Sequence, residues 1–97
     1  MEQLQAIYDA RQSFYGKAKT ETVRNTYQQV CNLFSYNTLV ATIIYNFNDM
    51  TILYKSLGKF SQTTTRHQKE FFKQHNLNDK EIKNLLNKGE LIKGVNE

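Results

Sequence analysis

The run Leu39-Val40-Ala41-Thr42-Ile43-Ile44-Tyr45 constrains this chain more than any other stretch. It is dense in β-branched residues and apolar on both faces, which marks a buried central strand. Interrupted by Thr42, it is far too short to span a bilayer. A central strand needs neighbours on both sides, and turn-forming clusters frame them. Arg24-Asn25-Thr26 and Ser35-Tyr36-Asn37-Thr38 precede the run, and Asn46-Phe47-Asn48-Asp49 follows it. Asn and Ser side chains bond readily to nearby backbone, so such clusters reverse the chain. Between them lie the segments 14–23, 27–34 and 50–57, the last closed by Gly58. Turns at these short intervals predict an antiparallel β-meander of four strands over residues 14–57. In the first of these strands Lys17, Lys19 and Glu21 share one face, and Ala18 and two threonines share the other.

The hydrophobic period changes on either side of the sheet. Leu4, Ile7, Tyr8 and Arg11 fall on one helical face, which predicts a short N-terminal helix over residues 1–12. A helix that short must pack on the rest of the domain or fray. Beyond the sheet, a helix is expected from Thr63 or Thr64 to about His75. Gln68, Phe71, Phe72 and His75 form its inner face, and Arg66, Lys69 and Lys73 its outer one. Asn78-Asp79 opens a second helix with Ile82, Leu85 and Leu86 inward, and Gly89 stops it. Residues 90–97, with Leu91, Ile92 and Val95, read as a tail that either docks or frays. The expected architecture is a single α+β domain over residues 1–97, with the helices of residues 62–89 packed on one face of the sheet. Burying Phe71 and Phe72 there contributes roughly 3–6 kcal/mol.

The chemistry-bearing residues are few. The 97-residue chain has one cysteine, Cys31, and two histidines. A lone cysteine in a strand is read as a small buried apolar group, and its inability to form an internal disulfide points to a reducing compartment. The segment MEQLQAIYDARQ carries no apolar core of a leader peptide. These features together predict a cytoplasmic location without membrane association. Two histidines and a cysteine without regular spacing do not form a metal set, and no phosphate-cradling glycine loop exists. His67 is expected to bond to strand backbone or cap the sheet edge, and His75 to sit favourably at a helix C-terminus. No enzymatic activity, cofactor or metal is therefore expected.

Charge is the informative feature. The net charge is +4, and all of it lies in residues 55–73, where Lys55, Lys59, Arg66, Lys69 and Lys73 face Glu70 alone. The segments on either side are neutral. A localised excess steers binding to phosphates or to an acidic protein face. Thr64 and Thr65, at the start of the helix beside Arg66, could add hydroxyls and free N–H groups to such a site. The expected binding residues are accordingly Arg66, Lys69, Lys73, Lys55, Lys59, Thr64 and Thr65. The tyrosines of the strand region, from Tyr15 to Tyr54, read mainly as core or cross-strand residues.

Three motifs in order, SFYGKAK at 13–19, LFSYNTLVATI at 33–43 and FSQTTTRHQKEFFKQHNL at 60–77, carry a family resemblance. The chain resembles a domain-of-unknown-function family of small phage, plasmid and other mobile-element proteins of low-GC Gram-positive bacteria. It departs at Gln68, where that family tends to have an aliphatic residue. The resemblance implies an α+β fold and a mobile-element setting, and no reaction. Combined with the basic patch, it leads to the expectation of a non-catalytic protein acting on a host protein or ribonucleoprotein complex. An anti-defence inhibitor of the anti-CRISPR type, bound to a CRISPR–Cas effector, is the leading form of that expectation. Direct DNA or RNA binding through the same patch is the alternative.

Overall fold

In the computed structural model, residues 1–9 and 17–94 are described. The β-branched run lies at the heart of the sheet, as its composition demands. The strands are β1 (Glu2–Gln3), β2 (Ala18–Arg24), β3 (Gln28–Ser35), β4 (Thr38–Asn46), β5 (Thr51–Ser56) and β6 (Glu90–Gly94), with α1 (Gln62–Gln74) and α2 (Asp79–Lys88) between the last two. They form one antiparallel sheet in sequence order, β1 to β6. The turn between β3 and β4 uses Tyr36 and Asn37 at φ of 50° and 69°, the left-handed pair that tight two-residue hairpins require.

Two expectations are corrected. The sheet has six strands rather than four, because both ends of the chain add one. At the N-terminus, residues 1–9 form no helix. Glu2 and Gln3 pair with Thr20 and Lys19, and the Leu4 N–H donates to the Ala18 carbonyl at 2.9 Å. A helix this short has few internal bonds to offset its ordering cost, whereas the edge of β2 offers ready-made partners. Residues 10–12 of the expected helix lie outside the described residues, as do Phe14, Tyr15 and Gly16 of the first expected strand. At the other end, residues 90–94 are not a tail. Gly89 ends α2 at φ 91°, a left-handed conformation that suits glycine, and turns the chain back along the sheet. β6 then pairs with β5, Leu91 opposite Tyr54 and Lys93 opposite Ile52. Residues 95–97 lie outside the described residues.

The helices pack on one face of the sheet. The pleat sends Cys31, Leu33, Ala41, Ile43 and Tyr54 toward them, where they meet Phe71, Phe72, Leu77, Ile82 and Leu85 in one core. Cys31 is free and buried. The register shifts between Leu33 and Phe34, a bulge that places Val40 and Ala41 both inside. The resulting carbonyl of Val40 accepts a bond from the Leu57 N–H and a second from Gln68 Nε2 at 2.8 Å. Gln68 Nε2 also donates to Ser56 Oγ, so this fully covered polar side chain has partners inside the core.

Candidate functional site

Helix α1 begins at Gln62, one residue before Thr63 and two before Thr64, where the threonines suggested a start. Ser61 is its cap, with the side chain accepting from the Thr64 N–H at 3.3 Å, and the Thr65 N–H donates to the Ser61 carbonyl. The Thr64 side chain points into the protein, where its hydroxyl lies 3.0 Å from Ser35 Oγ. Ser35 Oγ also meets His67 Nδ1 at 2.8 Å, and the Tyr36 ring lies against the imidazole. Ser35, Thr64 and His67 thus form a polar layer between helix and sheet. Burial, reinforced by the nearby Arg66 and Lys17 charges, holds His67 below its ordinary value and favours the neutral ring. A serine beside a histidine suggests nucleophilic chemistry, but Ser35 keeps 2% of its surface and His67 none. No substrate reaches that oxygen in this conformation. His67 Nδ1 therefore meets a side chain on β3, within a buried layer.

The outer side of α1 is where the sequence-expected cations collect. Glu70, buried below it, accepts the Tyr8 and Asp9 N–H groups at 2.9 Å each and Gln74 Nε2 at 2.7 Å. This carboxylate fastens the N-terminal segment to the helix. Asp9 is thereby set beside Arg66, whose Nε lies 3.0 Å from Asp9 Oδ2. Lys73, itself partly exposed, reaches the well-solvated Asp79 at the start of α2 at 2.9 Å. Tyr8, Asp9, Arg66, Lys69, Glu70 and Lys73 line a cleft of about 260 Å³. On the other side of Lys69, a groove of about 420 Å³ runs between the helices, with Ile82 and Leu86 in its wall and Lys83 and Asp79 at its rim. Lys69 is the exposed ridge between the two, and it has no ion pair among the described residues.

The remaining sequence-expected residues disperse. Lys55 follows the buried Tyr54 in β5, so it projects from the sheet face opposite the helices. Lys59 is exposed in the loop before α1, Thr65 is half-buried in the groove wall, and Thr64 is enclosed. Arg66, Lys69 and Lys73 stay together; Lys55 does not join them. Tyr8, Asp9 and Lys83 complete this surface and were not singled out from sequence. Their approach depends on the Glu70 bridge and on the packing of α2, which helical spacing alone does not encode.

Other titratable groups have structural partners. Tyr45 Oη and His75 Nδ1 lie 2.9 Å apart. Burial pushes Tyr45 up to about 12 and lowers His75, so both groups are held neutral. Glu81 is held below the usual carboxylate range by the Asn78 N–H and by Lys93, 2.7 Å away. No group of His, Cys, Asp and Glu capable of holding a metal ion occurs among the described residues. No helix among them is long and apolar enough to cross a membrane.

A family model covers residues 2–88 of this chain. The chain belongs to DUF8033, a family of unknown function. The DUF8033 match embraces the N-terminal strand, the meander and both helices, so the Glu70 bridge and the two clefts lie wholly within it. No curated protein and no solved structure matches the chain.

Proposed function

We propose that this DUF8033 chain is a non-catalytic binding protein of a mobile genetic element. In this reading it docks on a host macromolecular complex and inhibits it by covering a working surface. A nucleic-acid-handling defence assembly of the CRISPR–Cas kind is the proposed target. The observation that carries the reading is the α1 surface, where Lys69 stands between two clefts and is flanked by Arg66 and Lys73. The groove beside it combines apolar side chains with charges of both signs, the mixture typical of a protein interface. Arg66 and Lys73 already bind Asp9 and Asp79. A surface of alternating sign suits a protein partner better than a continuous phosphate backbone, which favours unpaired cations.

The deciding experiment is capture of partners from host lysate, with and without nuclease. It compares wild type with an Arg66→Ala/Lys69→Ala/Lys73→Ala variant whose fold is confirmed by circular dichroism. The expected result is a protein partner retained after nuclease and lost with the variant. Recovery of the same partners by the variant overturns the assignment of this surface. Loss of all partners after nuclease replaces the protein target with direct DNA or RNA binding.

A further inference from the structure

The face of the sheet opposite the helices carries a pattern that the helix surface does not explain. Val23 lies opposite Val30, Val30 opposite Ile44, Ile44 opposite Leu53, and Leu53 opposite Ile92. One aliphatic side chain from each of five neighbouring strands thus forms a continuous row across the sheet. The strand alternation directs all five away from the helices, and none belongs to the helix-side core. The ends of the row, Val23 and Ile92, are 55% and 64% exposed. Polar rows border it. On one side run Glu21, Asn32, Thr42, Lys55 and Glu90. On the other run Gln28, Asn46 and Thr51, which carry no charge.

We infer that this face binds the same face of a second copy of the chain, forming a two-fold dimer of stacked sheets. An aliphatic row bordered by polar rows is self-complementary, as a symmetric interface requires. Five strands about 4.8 Å apart and three rows about 7 Å apart give a footprint of roughly 500 Å² per copy. The pair buries about 1,000 Å², at the lower bound for a specific interface and suited to a reversible dimer.

Charge selects the symmetry. A two-fold axis parallel to the strands would lay β2 over β6, with Glu21 facing Glu90 of the second copy. An axis parallel to the row stacks each row residue on its own counterpart and sets the charged border over the uncharged one. The second arrangement avoids the like-charge contact and is the one assigned. Both copies then present their helix surfaces outward.

Sedimentation equilibrium of the full chain, from about 1 µM to about 1 mM, tests the inference. Wild type is expected to shift from monomer to dimer across that range. A Val23→Glu/Ile92→Glu variant alters only exposed positions, so its fold should survive, as checked by circular dichroism. It should associate at least about tenfold more weakly. A Val23→Glu/Ile92→Lys variant tests the axis, since the row-parallel arrangement places like charges together and predicts monomer. Wild type that stays monomeric throughout, or a dimer unaffected by the double-glutamate variant, overturns the proposal. Wild-type-like dimerisation of the glutamate–lysine variant overturns the row-parallel axis.

Discussion

Glu70 and His67 show how single side chains organise this molecule. A carboxylate with 2% of its surface exposed is costly unless hydrogen-bonded, and Glu70 has two backbone N–H donors and one side-chain amide. His67 and His75 are the opposite case, imidazoles held neutral by burial. Their folded values lie below the ordinary value of 6.5, so on acidification the unfolded chain takes up these protons first. The stability they contribute is complete above pH 6.5 and drains away as pH falls toward their lowered values. Glu81, with its value also lowered, contributes above its ordinary 4.5 and is lost only at more acidic pH. Urea unfolding at pH 7, 6 and 5 should therefore show falling stability before the Glu81 window is reached. A flat profile over that range would mean the imidazoles are not buried as neutral groups.

At the scale of elements, the helix ends carry most of the local specification. Helix α1 closes with Asn76 at φ 71°, while the Asn76 N–H bonds to the Lys73 carbonyl and the Leu77 N–H to that of Phe72. This pairing satisfies terminal carbonyls and drives the buried Leu77 into the core. Helix α2 opens with a reciprocal box, in which Asn78 Oδ1 accepts the Glu81 N–H and Glu81 Oε1 accepts the Asn78 N–H. Asn78→Ala removes one half of that exchange and is expected to lower stability by about 1 kcal/mol. The urea midpoint gives the loss, and amide exchange should localise it to the first turn of α2. Unchanged exchange there would show that the box contributes nothing.

Across the whole molecule, the N-terminal segment acts as a clasp. It lengthens the sheet through β1, buries Leu4 at 5% exposure and crosses to α1 through Glu70 and Gln74. Deleting residues 1–8 removes the Leu4 side chain from the core and the Tyr8 N–H from Glu70. The expected cost is about 2–4 kcal/mol, from the lost apolar group and an under-bonded buried carboxylate. For a small domain this is a large share of total stability. The truncated chain should unfold at a clearly lower urea concentration, and an unchanged midpoint would show that the segment is not docked. The same clasp sets Asp9 beside Arg66, so it also shapes the proposed binding surface.

The central strands, the tight turns, both helices and the inward phenylalanines were legible in the sequence, because each depends on local periodicity and turn chemistry. The clustering of Arg66, Lys69 and Lys73 was legible for the same reason, since residues three and four apart share a helix face. Strands β1 and β6 were not. The periodicity of Leu4, Ile7 and Tyr8 fits a helix, and only the free edge of β2 decides otherwise. Segment 90–94 becomes a strand because Gly89 turns it onto β5. The aliphatic row from Val23 to Ile92 is likewise a product of register, assembled from single residues far apart in the chain. Local hydrogen bonding and hydrophobic period determine which segments can be helix or strand. Which edges they complete, and what meets across them, is settled only when backbone groups compete for partners in the assembled sheet.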